Sequence, residues 1–148
     1  MVVLVVLLSV FIVVWGLLAF TQHPHQIRTA GCIAFAALFI FTGVSHFALA
    51  DGMVQMLPEW LPGRYSLIYI TGIIEILLGL GFLRPSIRRM CGLLTLAFLI
   101  AVLPSNIYAA LNSIDFGGNI NGPGYLLFRV PLQLFLCWWV WFMAARRS

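Results

Sequence analysis

The chain has 148 residues, 63% of them hydrophobic and 8% charged, and carries a formal net charge of +4. A soluble domain is about 45–50% apolar and about 25% charged, so this composition excludes an ordinary soluble protein and leaves no room for a separate soluble domain. Residues 1–148 are expected to form a single all-α transmembrane domain. Barrel strands alternate over about 10 residues, and the apolar runs here are longer and uninterrupted.

Five runs approach the roughly 20 apolar residues that a spanning helix needs: 2–20, 30–50, 66–83, 90–111 and 125–143. The first lacks a positive leading region and a small-residue cleavage site, so it reads as a retained helix and not as a signal peptide. The segment after it holds His23 and His25, too few ligands for a metal site. Between the second and third runs, Asp51–Arg64 reads DGMVQMLPEWLPGR. Pro58 and Pro62 prevent a long helix there. Met53, Met56, Leu57, Trp60 and Leu61 suit an interfacial lid, with Trp60 at headgroup level. Asn112–Gly124, NSIDFGGNINGPG, is turn chemistry. After the fifth run, Trp138, Trp139, Trp141 and Phe142 with Arg146 and Arg147 suggest an aromatic belt and its basic anchor.

All eight basic residues are arginine. Arg28, the group Arg84, Arg88 and Arg89, and the pair Arg146 and Arg147 fall in alternate connections, which the positive-inside rule assigns to the cytoplasm. Five spans with the N-terminus out and the C-terminus in satisfy every connection. The basic balance is thus a topology signal and implies no nucleic-acid partner. Cys32, Cys91 and Cys137 form no CxxC pair, lie toward the reducing side and read as packing residues.

Against this apolar background the polar residues inside the runs stand out. A charged side chain at the centre of a membrane helix costs about 2.5–3.5 kcal/mol on insertion scales. At about 1.5 Å rise per residue, His46 lies roughly 6 Å from the outer end of its run and Glu75 roughly 14 Å deep. Asn106, Arg129 and Gln133 also fall in the outer half or the middle. Thr42 and His46 share a face at i, i+4, Gly72, Glu75 and Gly79 share another, and Arg129, Gln133 and Cys137 a third. Pro104 and Pro131 each free a backbone carbonyl one turn earlier. Glu75 is the only acid at membrane depth and Arg129 cannot shed its proton, so the two are expected to interact, directly or through a ligand or water. The cluster has two readings: a hydrogen-bonded network that specifies the bundle, or a ligand or catalytic site with Glu75, His46 and Arg129 as its reactive groups and Asn106, Gln133 and Trp60 as further ligand contacts.

Several chemistries find no motif. A single histidine inside a span disfavours bis-histidine haem ligation. There is no glycine-rich phosphate loop, HExxH or GxSxG, and no cysteine cluster for iron–sulfur. The repeats and paired broken helices common in transporters are not evident, and the inner half offers no polar residues to line a path.

The blocks FTGVSHF (Phe41–Phe47), MLPEWLP (Met56–Pro62), ITGIIEILLGLGFLRPSIRR (Ile70–Arg89), LIAVLPSNIYAA (Leu99–Ala110) and YLLFRVPLQLFLCWWVW (Tyr125–Trp141) resemble, in this order, the DoxX-like family of small bacterial membrane proteins. The resemblance covers roughly residues 30–143. It implies a four-helix membrane bundle, to which the first helix is an addition, in a bacterial inner membrane. It also implies a redox setting with a quinone as the candidate ligand, since the family includes a quinone-reducing thiosulfate oxidoreductase subunit. The family's recurrent His, Glu, Asn and Arg positions fall on His46, Glu75, Asn106 and Arg129. No thiosulfate-handling soluble domain is present, so that activity does not carry over. The expected function is a redox-associated membrane protein that holds a quinone or similar lipophilic molecule among membrane lipids and works with a redox partner protein. The alternative is a non-catalytic binding or scaffold protein for an amphiphile or for partner proteins.

Overall fold

The computed structural model of the chain describes residues 2–20, 25–115 and 119–146. His23, residues 116–118 of the turn-rich connection and Arg147 lie outside the described residues. The described residues form helices and turns and no strand. Five helical stretches are long and apolar enough to cross a membrane, and the chain reads as a multi-pass membrane protein.

The elements are α1 (Val2–Phe20), α2 (Gln26–Ala48), a short α3 (Ala50–Val54), α4 (Arg64–Phe82), α5 (Arg88–Leu111), a 3₁₀ segment (Asn119–Tyr125) and α6 (Leu126–Val140), which ends in a π turn (Trp141–Ala145). Several helices start earlier than hydropathy indicates: α2 at Gln26, α4 at Arg64 and α5 at Arg88. Hydropathy marks where lipid ends, whereas backbone hydrogen bonding continues through the first polar turn. α2 breaks at Leu49, whose φ is −122°, and the chain turns into α3 instead of passing directly to a loop.

α2 packs most extensively against α4, through a close approach of Gly43 and Gly72. A Cβ on Gly72 would lie 2.7 Å from the His46 Cβ and 3.0 Å from the Gly43 carbonyl oxygen. Small residues give membrane helices this approach, and van der Waals packing then holds them. Side-chain bonds to backbone carbonyls tie α6 to its neighbours: Gln133 Nε2 donates to the Leu99 carbonyl at 2.7 Å, and Trp139 Nε1 to the Gly31 carbonyl at 3.2 Å. Trp139 is therefore buried in the bundle, while Trp138, Trp141 and Phe142 face outward. Of the four residues expected in an aromatic belt only those three face outward, and Arg146 lies over the Phe142 ring at 5.4 Å.

α1 is peripheral. Leu7 is fully buried and Phe11 meets Trp139 edge-on at 5.1 Å, but Val5, Ile12 and Leu17 face outward.

One end of the bundle is closed by arginine. Arg28 Nη2 donates to the Arg146 carbonyl at 2.7 Å and its Nε to the Met143 carbonyl at 3.4 Å. Arg89 Nε reaches the Ala145 carbonyl at 3.3 Å and Arg88 Nε the Phe82 carbonyl at 3.0 Å. Helix C-termini leave carbonyls without intrahelical partners, and cations there are favoured by the macrodipole. Arg88 and Arg89 open α5, where positive charge is unfavourable for their own helix, but each serves the C-terminal end of a neighbour.

The apolar core falls into two clusters. The larger centres on Phe35, Phe39, Phe82, Leu136 and Val140. The smaller, Ala50, Val54 and Ile68 with Met53 and Leu57, lies under α3 at the opposite end from the arginines. The polar residues sit where these clusters do not meet.

Candidate functional site

A partly open cavity of about 290 Å³ occupies this gap. Its polar lining is Thr42 and His46 from α2, Thr71 and Glu75 from α4, Ser105 and Asn106 from α5, and Arg129 from α6. Its apolar lining comes from the α3 region (Met53, Met56, Leu57), from Leu67, Ile68 and Val102, and from Val3 at the start of α1. The structure thus brings His46, Glu75, Asn106 and Arg129 together around one space. Gln133 and Trp60 do not line it. Gln133 is buried and spends its amide N–H on the Leu99 carbonyl, and Trp60 is 79% exposed.

Local structure sets each polar group. The Gly43–Gly72 approach brings the base of His46 onto α4, one turn from Glu75. His46 Nδ1 lies 2.9 Å from the Thr42 carbonyl and 3.7 Å from Glu75 Oε2. The shorter distance is a hydrogen bond and the longer is not, so the imidazole N–H is directed at its own helix and the carboxylate is only a charge neighbour. Glu75 is 9% exposed, and its Oε2 is buried with no hydrogen-bond partner among the described residues. A buried polar atom left without a partner costs about 1–3 kcal/mol, more when charged.

Arg129 does not meet Glu75 directly. Its Nη2 donates to Asn106 Oδ1 at 2.7 Å, while Asn106 Nδ2 donates to the Val102 carbonyl at 3.1 Å. The second bond orients the amide so that its oxygen faces α6. Of the two forms the expected Glu75–Arg129 interaction could take, the direct hydrogen bond is not among those of the described residues: the acceptor that Arg129 meets is a neutral amide on the adjacent helix. Charge balance named the only acid, but the guanidinium needs an acceptor oxygen and Asn106 supplies one.

The hydroxyls of the lining each reach a carbonyl of their own helix, and that of Thr42 also neighbours the Glu75 carboxylate. Thr42 Oγ1 donates to the Leu38 and Phe39 carbonyls, Thr71 Oγ1 to Leu67 and Ile68, and Ser105 Oγ to Val102. Thr71 and Val3 belong to the lining but were not singled out in the sequence. Thr71 carried a usable signal, since it precedes Glu75 by four residues and so shares its face. Val3 carried none: nothing in a uniformly apolar helix distinguishes its cavity-facing residue.

A profile of a family described as a domain of unknown function, DUF8561, matches residues 35–144. The matched stretch contains His46, Glu75, Asn106 and Arg129, and it leaves α1 and Arg28 outside. No curated protein matches the chain, and no solved structure does.

Proposed function

The chain belongs to the DUF8561 family, and from that premise we propose that it is a lipophile-binding membrane protein that holds a quinone or similar molecule in the cavity between α2, α4, α5 and α6. The observation that carries this reading is the buried, unpartnered Glu75 Oε2 facing a space of about 290 Å³. A network that only specified the bundle would have its polar groups paired and its core filled. Ligand pockets run from about 300 Å³ upward and combine apolar walls with a few convergent polar groups. This cavity is at the lower edge of that range, suited to a headgroup with its apolar tail leaving through the open side.

In this reading Arg129 holds an oxygen of the headgroup, His46 lines the site with its Nδ1–H committed to the Thr42 carbonyl, and Glu75 accepts or passes a proton, the role that suits a positioned base. The resemblance to DoxX-like proteins directs the choice toward a redox-associated role, with electrons exchanged by a partner protein, and toward α2, α4, α5 and α6 as the family's four-helix core with α1 added. The arginine end is assigned to the cytoplasm of a bacterial inner membrane, since the described arginines there outnumber those at the cavity end and every acid, Asp51, Glu59, Glu75 and Asp115, lies at the other.

The test is mass spectrometry of the organic extract of purified full-length protein, wild type beside Glu75→Gln and Arg129→Ala. A stoichiometric lipophile in the wild type that both variants lack is the expected result, and a quinone would make quinone reduction the next assay. A folded wild type that carries nothing, and takes up no added quinone or lipid analogue, would refute the reading.

A further inference from the structure

We infer that the cavity selects an uncharged head that donates a hydroxyl hydrogen to Glu75 and accepts one from Arg129, a specificity that rests on the lipophile-binding reading. The argument is an inventory of donors and acceptors. Thr42, Thr71 and Ser105 each give their hydroxyl hydrogen to a carbonyl of their own helix, so they present only lone pairs to the cavity. Glu75, as a carboxylate, accepts and does not donate; the Thr42 hydroxyl is its side-chain neighbour, and its Oε2 has no hydrogen-bond partner among the described residues. The N–H on His46 Nδ1 is 3.7 Å from Oε2 and directed at the Thr42 carbonyl. The α2–α4 wall is therefore acceptor-rich and short of hydrogens.

On the opposite side Arg129 has five N–H donors, and one bond to Asn106 Oδ1 leaves others for a ligand. A carbonyl or ether head can satisfy Arg129 but leaves Glu75 Oε2 orphaned. An anionic head would lie against the carboxylate and the hydroxyl lone pairs. A cationic head would share a poorly hydrated space with a guanidinium that cannot lose its charge. A neutral hydroxyl satisfies both walls. Among quinone-like molecules this favours the reduced, hydroxyl-bearing form over the oxidised one.

The experiment uses full-length protein in detergent and a matched pair of probes, 4-heptylphenol and 4-heptylanisole, which differ in the O–H. Heptylamine serves as the cationic comparison. The phenol is expected to bind at least tenfold tighter than the ether, about 1.4 kcal/mol, and tighter than the amine. In Glu75→Leu the phenol-to-ether ratio is expected to fall to about one. Equal binding of phenol and ether by the wild type would overturn the inference while leaving the lipophile site standing, and needs no variant to fold. Preference for the amine would overturn it in favour of a cationic ligand, and preference for the phenol that survives Glu75→Leu would remove Glu75 from it. Failure of all three probes to bind would sink the inference together with the binding reading.

Discussion

Substituting Glu75 by glutamine and Asn106 by leucine separates the stability of the site from its binding. If Arg129 depended on the carboxylate, Glu75→Gln would strand a guanidinium and lower stability sharply. The geometry gives the opposite ranking. Arg129 leans on Asn106 through a 2.7 Å bond whose acceptor is oriented by a second bond to Val102. Hydrogen bonds to a charged partner contribute about 1.5–3 kcal/mol, while interhelical bonds in membranes average about 0.6 and reach about 1.7 kcal/mol. A short, charged and oriented bond belongs at the overlap of these ranges, so Asn106→Leu is expected to cost about 1.5–1.7 kcal/mol. At about 2–4 °C per kcal/mol for a chain of this size, that is a fall in Tm of about 3–7 °C. Glu75→Gln removes the charge from an oxygen that has no hydrogen-bond partner among the described residues, and is expected to leave Tm unchanged or slightly raised while losing the ligand. Functional groups held at a cost in stability behave in this way. The five tryptophans supply the signal for a fluorescence melt of the purified protein in detergent. A Tm loss in Glu75→Gln as large as in Asn106→Leu would refute the reasoning, because Arg129 would then depend on the carboxylate.

Gly72→Ala places a Cβ 2.7 Å from that of His46; overpacking of this kind costs about 1–3 kcal/mol, and the variant should melt lower and bind the ligand more weakly, with an unchanged Tm counting against the close approach of α2 and α4. Arg28→Ala removes the bonds to the Met143 and Arg146 carbonyls and should cost about 1–2 kcal/mol, with faster hydrogen exchange confined to the π turn and the start of α2; unaltered exchange there would mean that the grip contributes nothing.

The site residues were legible because of the solvent this chain occupies. In a span that is otherwise continuously apolar each polar residue is conspicuous, and counting along a helix places His46, Glu75, Asn106 and Arg129 at compatible depths. Their partners were not legible. Charge logic joins Glu75 to Arg129, whereas the rotation of α5 against α6 decides that Asn106 is the nearer acceptor, and no spacing within one helix encodes that rotation. Gln133 shares a face with Arg129, yet one turn deeper that face meets a backbone carbonyl of α5 instead of the cavity. Trp60 shows the same limit from outside. Its composition places it at an interface, but the direction it takes depends on how Pro58–Arg64 closes, and it turns outward. Trp139 differs from its neighbours in the belt only by facing the Gly31 carbonyl, a contact between residues 108 positions apart.

The bond between Arg28 and the Arg146 carbonyl joins residues 118 positions apart, and this has a consequence for biogenesis. Arg28 leaves the ribosome well before its acceptor, which follows α6 in the chain. Loop-closure entropy rises slowly with length, about 0.6 kcal/mol per doubling, so the delay is a matter of order and not of energy. Until α6 arrives, the guanidinium must remain at the water-facing end of α2, which keeps the start of that helix anchored at the surface. The bond then forms only after α6 has packed, and a chain cut before the π turn would keep α6 and its Trp139–Gly31 bond yet lack this second tie between α2 and the far end of α6.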